Sequence, residues 1–300
     1  MDKKTIKRIF SQNNLGKVES IVKIEIGFTN KVYSINDQFI LKVCEDLENE
    51  KFFKKEVFLY AFFRNKIPVP KILIYDNSKK IYKKSFMIYR KIHGDNLYSK
   101  WHLMSNSERK NIVKQLCDIL KIINKASFGK SLNWHDKILN QIKNSLKKIE
   151  DKKILSKEFI QTIRNFVKTN HSVLKVQKIS LVYWDAHFDN ILMKNNKIVG
   201  ILDFERTEMA SIDFNLDIIK RMVEYPKKYM SKDFEKFAKK EDYAKLLDWF
   251  KEFYPALFAF KNLDKRLDLY ALEHDLDTLL SWPNSNEVKQ MIKKTVNYNF

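Results

Sequence analysis

From residue 179 to residue 217 the chain reads ISLVYWDAHFDNILMKNNKIVGILDFERTEMASIDFNLD, and three polar residues break its apolar runs at fixed offsets. They are Asp185, Asn190 and Asp203. Residues 179–183 read as a strand that stops at Trp184-Asp185. Residues 191–193 and 198–202 read as two arms of a hairpin turned at Asn195-Asn196. The pattern puts Asp185 just after a strand, Asn190 at the mouth of a hairpin and Asp203 at the end of its second arm. A carboxylate, an amide five residues on and a second carboxylate beyond a hairpin are what magnesium-dependent phosphoryl transfer requires. Asp185 orients and deprotonates a hydroxyl, while Asn190 and Asp203 hold the cation that bridges the phosphates. Any one acid ending a strand is an ordinary turn residue. The spacing of all three carries the inference.

Upstream, residues 5–10 read as a short helix, and residues 21–26, 31–35 and 38–43 as strands. Lys42 interrupts the apolar run of the third strand. On the exposed face of an edge strand such a lysine is ordinary; as a strand lysine it contacts the α/β-phosphates of a nucleotide and pairs with a helix glutamate. Residues 48–64 carry Phe52, Phe53, Val57, Tyr60 and Phe63 at helical spacing, with Glu56 beside that face as the expected partner. Glu50 is too close to Lys42 along the chain to fold back onto it. Pro68-Val69-Pro70 stops the helix, and residues 71–75 and 85–92 add two strands to an antiparallel meander of five.

From residue 96 to residue 179 helical patterns dominate. Ser105-Asn106-Ser107-Glu108 is a capping box, followed by Ile112, Leu116, Ile119, Leu120 and Ile123 on one face. Two further stripes are Ile138, Ile142, Leu146, Ile149 and Phe159, Ile160, Ile163, Phe166, Val167. Helices resume after the hairpin at 213–225, 232–238, 243–254, 264–281 and 286–296. The order predicts an α+β chain of two lobes: a small antiparallel sheet lobe over 1–92, a hinge at about 90–94, and a larger, mostly helical lobe over 95–300 that carries the catalytic hairpin.

This pattern resembles the catalytic and metal-binding loops of the protein-kinase-like fold, and more closely the aminoglycoside phosphotransferase family with its choline-kinase relatives. That family reads H-G-D-x-x-x-x-N, then G-I-I-D-[FW], then G-D-x-x-x-D-[LI]. Here stand Tyr183-Trp184-Asp185, Gly200-Ile201-Leu202-Asp203-Phe204 and Ile212-Asp213-Phe214-Asn215-Leu216-Asp217-Ile218. Tyr183 replaces the family's histidine. Phe204-Glu205 replaces the Phe-Gly of protein kinases, which argues against a switching loop of that kind. The resemblance implies a kinase that takes ATP or GTP as donor and Mg²⁺ as cofactor. It places a turn at Gly27 and Thr29 over the nucleotide, and a carbonyl and an amide of Arg90 and Ile92 on adenine. It leaves His187 to pack locally, and has Asp213 and Asp217 fix the following segment by capping and backbone hydrogen bonds.

Composition narrows the partners. A chain of 300 residues with 44% hydrophobic content buries a sizeable core. A net charge of +20 raises nucleic acid or an anionic membrane as partners, but the lysines are scattered among Asn and Ile without a long basic run, so neither is expected. Cys44 and Cys117 lack the spacing of a metal site or a disulfide framework. No apolar window reaches the ~18 residues of a membrane helix, and the N-terminus has no signal-peptide core, so the expected location is the cytoplasm. Oligomeric state is not legible here.

The expected acceptor follows from acids in a basic chain. In the helix at 264–281, Leu269, Leu272, Leu276 and Leu279 form the buried stripe, leaving Tyr270, Glu273 and Asp277 on a neighbouring flank. With Glu224 they read as a subsite for a small, cationic, hydroxylated molecule of the aminoglycoside type, with antibiotic resistance as the corresponding role. Lysines that simply neutralise these acids are the ordinary alternative. Choline, ethanolamine, another amino alcohol or a sugar are the alternative acceptors. A catalytically inactive nucleotide- or nucleic-acid-binding module is the rival of another class, and the intact Asp185, Asn190 and Asp203 argue against it.

Overall fold

The computed structural model describes residues 1–24, 30–128 and 133–297, so Gly27 and Thr29 lie outside the described residues. Helix α1 (Lys3–Gln12) opens the chain, its first turn capped by the Asp2 carboxylate, which accepts the Thr5 amide. Strands β1 (Ile21–Ile24), β2 (Asn30–Ile35) and β3 (Phe39–Cys44), helix α2 (Glu50–Phe63), and strands β4 (Ile72–Asp76) and β5 (Phe86–Arg90) follow. They form one antiparallel sheet in the order β1-β2-β3-β5-β4. This corrects the simple meander expected from sequence order. Strand β5 is buried over Phe86–Tyr89 and belongs inside the sheet, whereas every residue of β4 is half-exposed, as suits an edge. The α2 connection is what lets the chain skip a place.

Side chains alternate across β3. Phe39, Leu41 and Val43 join a buried cluster with Ile6, Ile9 and Phe10 of α1 and with Phe86 and Ile88 of β5. Lys42 points to the other face, toward α2. Because β3 lies between β2 and β5, Lys42 is 7% exposed and is not the edge lysine of the ordinary reading.

The chain continues through β6 (Asp95–Asn96), α3 (Leu97–Trp101), α4 (Asn106–Asn124), α5 (Trp134–Asp151) and α6 (Lys157–Asn170). The capping box at the start of α4 is formed in both directions: Ser105 N–H donates to the Glu108 carboxylate at 2.8 Å, and Glu108 N–H donates to Ser105 Oγ at 3.3 Å. Then come β7 (Ile179–Tyr183), β8 (Ile191–Lys194), β9 (Lys197–Ile201) and β10 (Thr207–Ser211). Asn195 and Asn196 turn β8 into β9 with φ of 50° and 57°, the left-handed pair that a two-residue hairpin turn demands and that Asn tolerates. Strand β10, which pairs with β7, has no counterpart in the sequence reading because Thr-Glu-Met-Ala-Ser lacks an alternating apolar pattern. Helices α7 (Asn215–Glu224), α8 (Lys232–Glu235), α9 (Leu246–Phe253), α10 (Leu263–Ser281) and α11 (Asn286–Thr295) complete the chain. No helix among the described residues is long and apolar enough to cross a membrane.

Two compact units result. The first comprises Met1–Ile122, Asp185–Thr207 and Met222–Leu246; the second comprises Ile123–Trp184, Glu208–Arg221 and the chain from Leu247 on. Inside the second, Arg266 is fully buried. Its guanidinium donates to Asp213 at 2.7 and 3.0 Å, to Val176 O at 2.7 Å and to Tyr270 Oη at 3.2 Å. Arg221 likewise donates to Asp217 at 3.1 Å and to Asp275 at 2.8 Å, and Asp217 also accepts Trp184 Nε1–H at 2.9 Å. Asp213 and Asp217 therefore hold their segment through buried ion pairs, not through the capping bonds expected for them. Tyr270, expected beside Glu273 and Asp277, is fully buried with its hydroxyl on Asp213 at 3.0 Å. Replacing Arg266 by Met strands the Asp213 charge in the core and is expected to cost about 3–5 kcal/mol of unfolding free energy. Urea denaturation of Arg266→Met checks this; an unchanged midpoint would mean that Asp213 finds another counter-charge.

Candidate active site

The first unit contains a cluster of one ammonium and three carboxylates. Lys42 Nζ lies 2.8 Å from Glu56 Oε2, 2.9 Å from Glu205 Oε1 and 3.9 Å from Asp203 Oδ1. Glu56 comes from the buried face of α2 beside Phe53, Tyr60 and Phe63, and is itself fully buried. Removing these charges from water is costly, so they persist only because they meet one another. Burial works against the Lys42 ammonium, yet the charges of Glu56, Asp203 and Glu205 hold it well above the ordinary lysine value. Burial pushes Glu56 up to about 8; Lys42 pulls the other way, and Asp203 and Glu205 add to the rise. Oxygens of Glu56, Asp203 and Glu205 lie within 4.8 Å of one another, a spacing that would suit a metal ion, but the Lys42 ammonium already serves as their cation.

Asp203 adopts a left-handed conformation, with φ of 56°, just beyond the end of β9. Its amide donates to the hydroxyl of Tyr60 at 2.8 Å. Phe204 is fully buried and meets Tyr60 edge-on with ring centroids 5.5 Å apart, and Phe63 at 6.0 Å. The turn thus drives Phe204 into the apolar layer under α2 and leaves the Asp203 carboxylate 38% exposed.

Asp185, His187 and Asn190 share one loop. Asn190 Nδ2 donates to the Asp185 carbonyl at 3.0 Å and lies 3.1 Å from His187 Nε2, which in turn sits 3.3 Å from Asp185 Oδ1. Asn190 commits its amide nitrogen to the Asp185 carbonyl, and its side-chain oxygen is of the type that a cation takes. Leu202 N–H donates to Asn190 O at 2.8 Å, coupling this loop to the Asp203 turn. Burial opposes ionisation of Asp185, but the hydrogen bond and charge of His187, with Arg206 and Asn190, hold its carboxyl below the usual range. For His187, burial is outweighed by Asp185, Asp189 and Asp203, and its pKa is raised. The loop is pinned from below. Phe188 packs against Trp101 with centroids 4.5 Å apart, and the Asp189 carboxylate accepts Asn96 Nδ2–H at 3.0 Å and Ser231 N–H at 2.8 Å.

Arg90 is exposed, its guanidinium 5.0 Å from the centre of the Phe39 ring, and Ile92 is half-buried. Ile92 packs on β9: a Cβ added at Gly200 would stand 3.2 Å from its Cδ1. At Gly94 an added Cβ would stand 2.8 Å from Val199 Cγ2 and 3.0 Å from Met193 O, so only glycine allows that approach to the hairpin. Glu273 is half-buried on α10. Burial pushes it up to about 7, with Asp277, Asp217 and Glu208 adding to the rise and Lys137 opposing it. Asp277 is exposed, and Glu224, half-buried, ends α7.

The structure therefore brings Lys42, Glu56 and Asp203 together, and Asp185 with Asn190. To these it adds Asn30, Tyr60 and Glu205, which the sequence reading left without a role. Tyr60 had one visible signal, a polar tip four residues after Glu56 in an apolar stripe; Asn30 and Glu205 had only their places after Thr29 and after Phe204.

A family model described as the phosphotransferase enzyme family matches residues 20–216. Among solved structures, the ADP-bound aminoglycoside phosphotransferase APH(2'')-Ib is similar at a TM-score of 0.72 and 18% identity, over 99% of this chain and 97% of that one. The streptomycin-ATP-APH(2")-IIa ternary complex is similar at 0.72 and 18%, over 100% and 97%. The GDP and kanamycin complex of APH(2")-IIia is similar at 0.72 and 14%, over 100% of both chains. At such identities the likeness is one of fold, and that fold is protein-kinase-like. No curated protein matches the sequence.

Tyr60→Phe keeps the ring contact with Phe204 and removes the hydroxyl that accepts the Asp203 amide and meets Glu56. An unsatisfied buried donor costs about 1–3 kcal/mol, which a lowered midpoint in equilibrium denaturation reads directly. A midpoint equal to that of the parent protein would show that water replaces the hydroxyl.

Proposed function

The chain belongs to the phosphotransferase enzyme family, and we propose that it moves the γ-phosphate of ATP or GTP to a hydroxyl of a small cationic molecule of the aminoglycoside type. As a small-molecule kinase it needs a group that grips phosphates, a base and a cation site. The observation that carries the reading is the Lys42–Glu56 pair, 2.8 Å apart and beside Asp203, in the same unit as the Asp185–Asn190 loop.

In this reading Lys42, kept charged and oriented by Glu56, contacts the α/β-phosphates. The turn at Gly27 and Thr29 covers the nucleotide, and main-chain groups of Arg90 and Ile92 meet the base in a hinge between lobes at 1–92 and 95–300. Asp185, kept ionised by His187, orients the acceptor hydroxyl and takes its proton as that oxygen bonds to the γ-phosphorus and the bond from phosphorus to the nucleoside diphosphate breaks. Asn190 and Asp203, one amide oxygen and one carboxylate, fit the oxygen preference of Mg²⁺, which when bound neutralises phosphate charge. The donor and acceptor classes draw support from ADP, ATP and GDP, and from streptomycin and kanamycin, in the similar structures. Glu273, Asp277 and Glu224 supply negative charge for the acceptor's ammonium groups. The reaction is placed in the cytoplasm, with aminoglycoside resistance as the role that such an acceptor implies.

The deciding experiment is nucleotide turnover across aminoglycosides, choline, ethanolamine and amino sugars; a best acceptor that is neutral or anionic would sink the acceptor assignment. Asp185→Asn is expected to lower kcat by roughly 10²–10⁴ while the nucleotide Kd stays put, since only the acceptor proton and its orientation depend on that carboxylate. Loss of nucleotide binding in this variant would refute the assignment of the base. Glu273 adds a pH dependence. It is neutral below about 7 and anionic above, so KM for a cationic acceptor should fall between pH 6 and pH 8 in the parent enzyme. In Glu273→Gln that part of the profile should be flat, and identical profiles for the two proteins would remove Glu273 from the subsite.

A further inference from the structure

Glu205 stands where protein kinases have glycine and takes none of the roles assigned to Lys42, Asp185, Asn190 and Asp203. It is 8% exposed, and its Oε1 receives both the Lys42 ammonium at 2.9 Å and the side-chain amide of Asn30. Two of the three ammonium donors of Lys42 are thus directed at Glu205 and Glu56, with Asp203 a further carboxylate at 3.9 Å. Glu56 cannot yield its place. It is fully buried with its Oε2 on Lys42, so withdrawing Lys42 would leave a carboxyl group in the core without its counter-charge. Of the two carboxylates in contact with Lys42, Glu205 is the one that can give way to a phosphate oxygen. Asn30 holds it in that position from the first residue of β2.

Charge strengthens the competition. One ammonium already faces more carboxylate than it neutralises, and a bare nucleoside diphosphate adds several negative charges beside these buried groups. A divalent cation carried in with the phosphates cancels most of that excess. We propose that Glu205 is a specificity-determining residue that competes with nucleotide phosphates for Lys42, so that the site accepts the metal–nucleotide complex and rejects the metal-free nucleotide. This rests on the assignment of Lys42 to the phosphates.

The test is calorimetric binding of ADP to the full chain and to Glu205→Gln, in saturating Mg²⁺ and in EDTA. Glutamine keeps an oxygen for Lys42 and Asn30 and loses the charge. The metal-free Kd is expected to tighten about tenfold or more in the variant, with the Mg–ADP Kd changing less than about threefold. A metal-free Kd that is unchanged or weaker in Glu205→Gln overturns the inference, because Glu205 then only braces Lys42 as Glu56 does. Failure of the parent protein to bind Mg–ADP overturns the nucleotide site itself and the inference with it. Should the variant not fold, tripolyphosphate titrated into the parent protein decides: binding in Mg²⁺ alone is expected, and equal affinity in EDTA refutes the proposal.

Discussion

A lysine buried in the middle of a sheet is tolerable only if a carboxylate meets it there, and the first unit is arranged around that requirement. Lys42 must lie on the face of β3 opposite the cluster of Phe39, Leu41 and Val43, and α2 must cross that face with Glu56 turned inward. Sheet order serves the same end. With β5 inserted beside β3, both edges of the lysine-bearing strand are paired and Lys42 is buried. The pair need not add net stability, since its desolvation offsets its attraction; what it fixes is register and orientation.

The Asp203 turn is built onto the same face. Its left-handed backbone, the hydroxyl of Tyr60 on its amide and the burial of Phe204 between Tyr60 and Phe63 together decide which way the carboxylate points. Asp185 and Asn190 are held in a complementary manner, by Phe188 in an aromatic layer and by Asp189 bridging Asn96 and Ser231. Polar groups at the surface of this unit are therefore positioned by buried aromatic rings and hydrogen bonds beneath them, the condition for a site that keeps its geometry without its ligands.

In the second unit the same logic governs Arg266 and Arg221. Arg266 reaches Asp213, just after β10, from 53 residues away, and Arg221 joins Asp217 to the distant Asp275, so that each of these charges is paired within the core. Such networks specify one arrangement of chain, because any slip leaves a buried charge alone.

Sequence by itself determined the pieces whose signal is local: the hairpin turned by two asparagines, the capping box of Ser105 and Glu108, the leucine stripe of α10, and the offset of Asp185, Asn190 and Asp203. It also named Glu56 as the partner of Lys42, because a helix has few positions that are both acidic and beside an apolar face. Only the tertiary structure decided the place of β5 in the sheet, the pairing of β10 with β7, the burial of Tyr270, the ion pairs of Asp213 and Asp217, and the convergence of Glu205 and Asn30 on Lys42. The reason is physical. Periodicity and turn chemistry record what a residue does with neighbours a few positions away, whereas a buried charge is satisfied by whichever partner the fold delivers, 53 residues away for Asp213 and Arg266, and no local pattern encodes that distance.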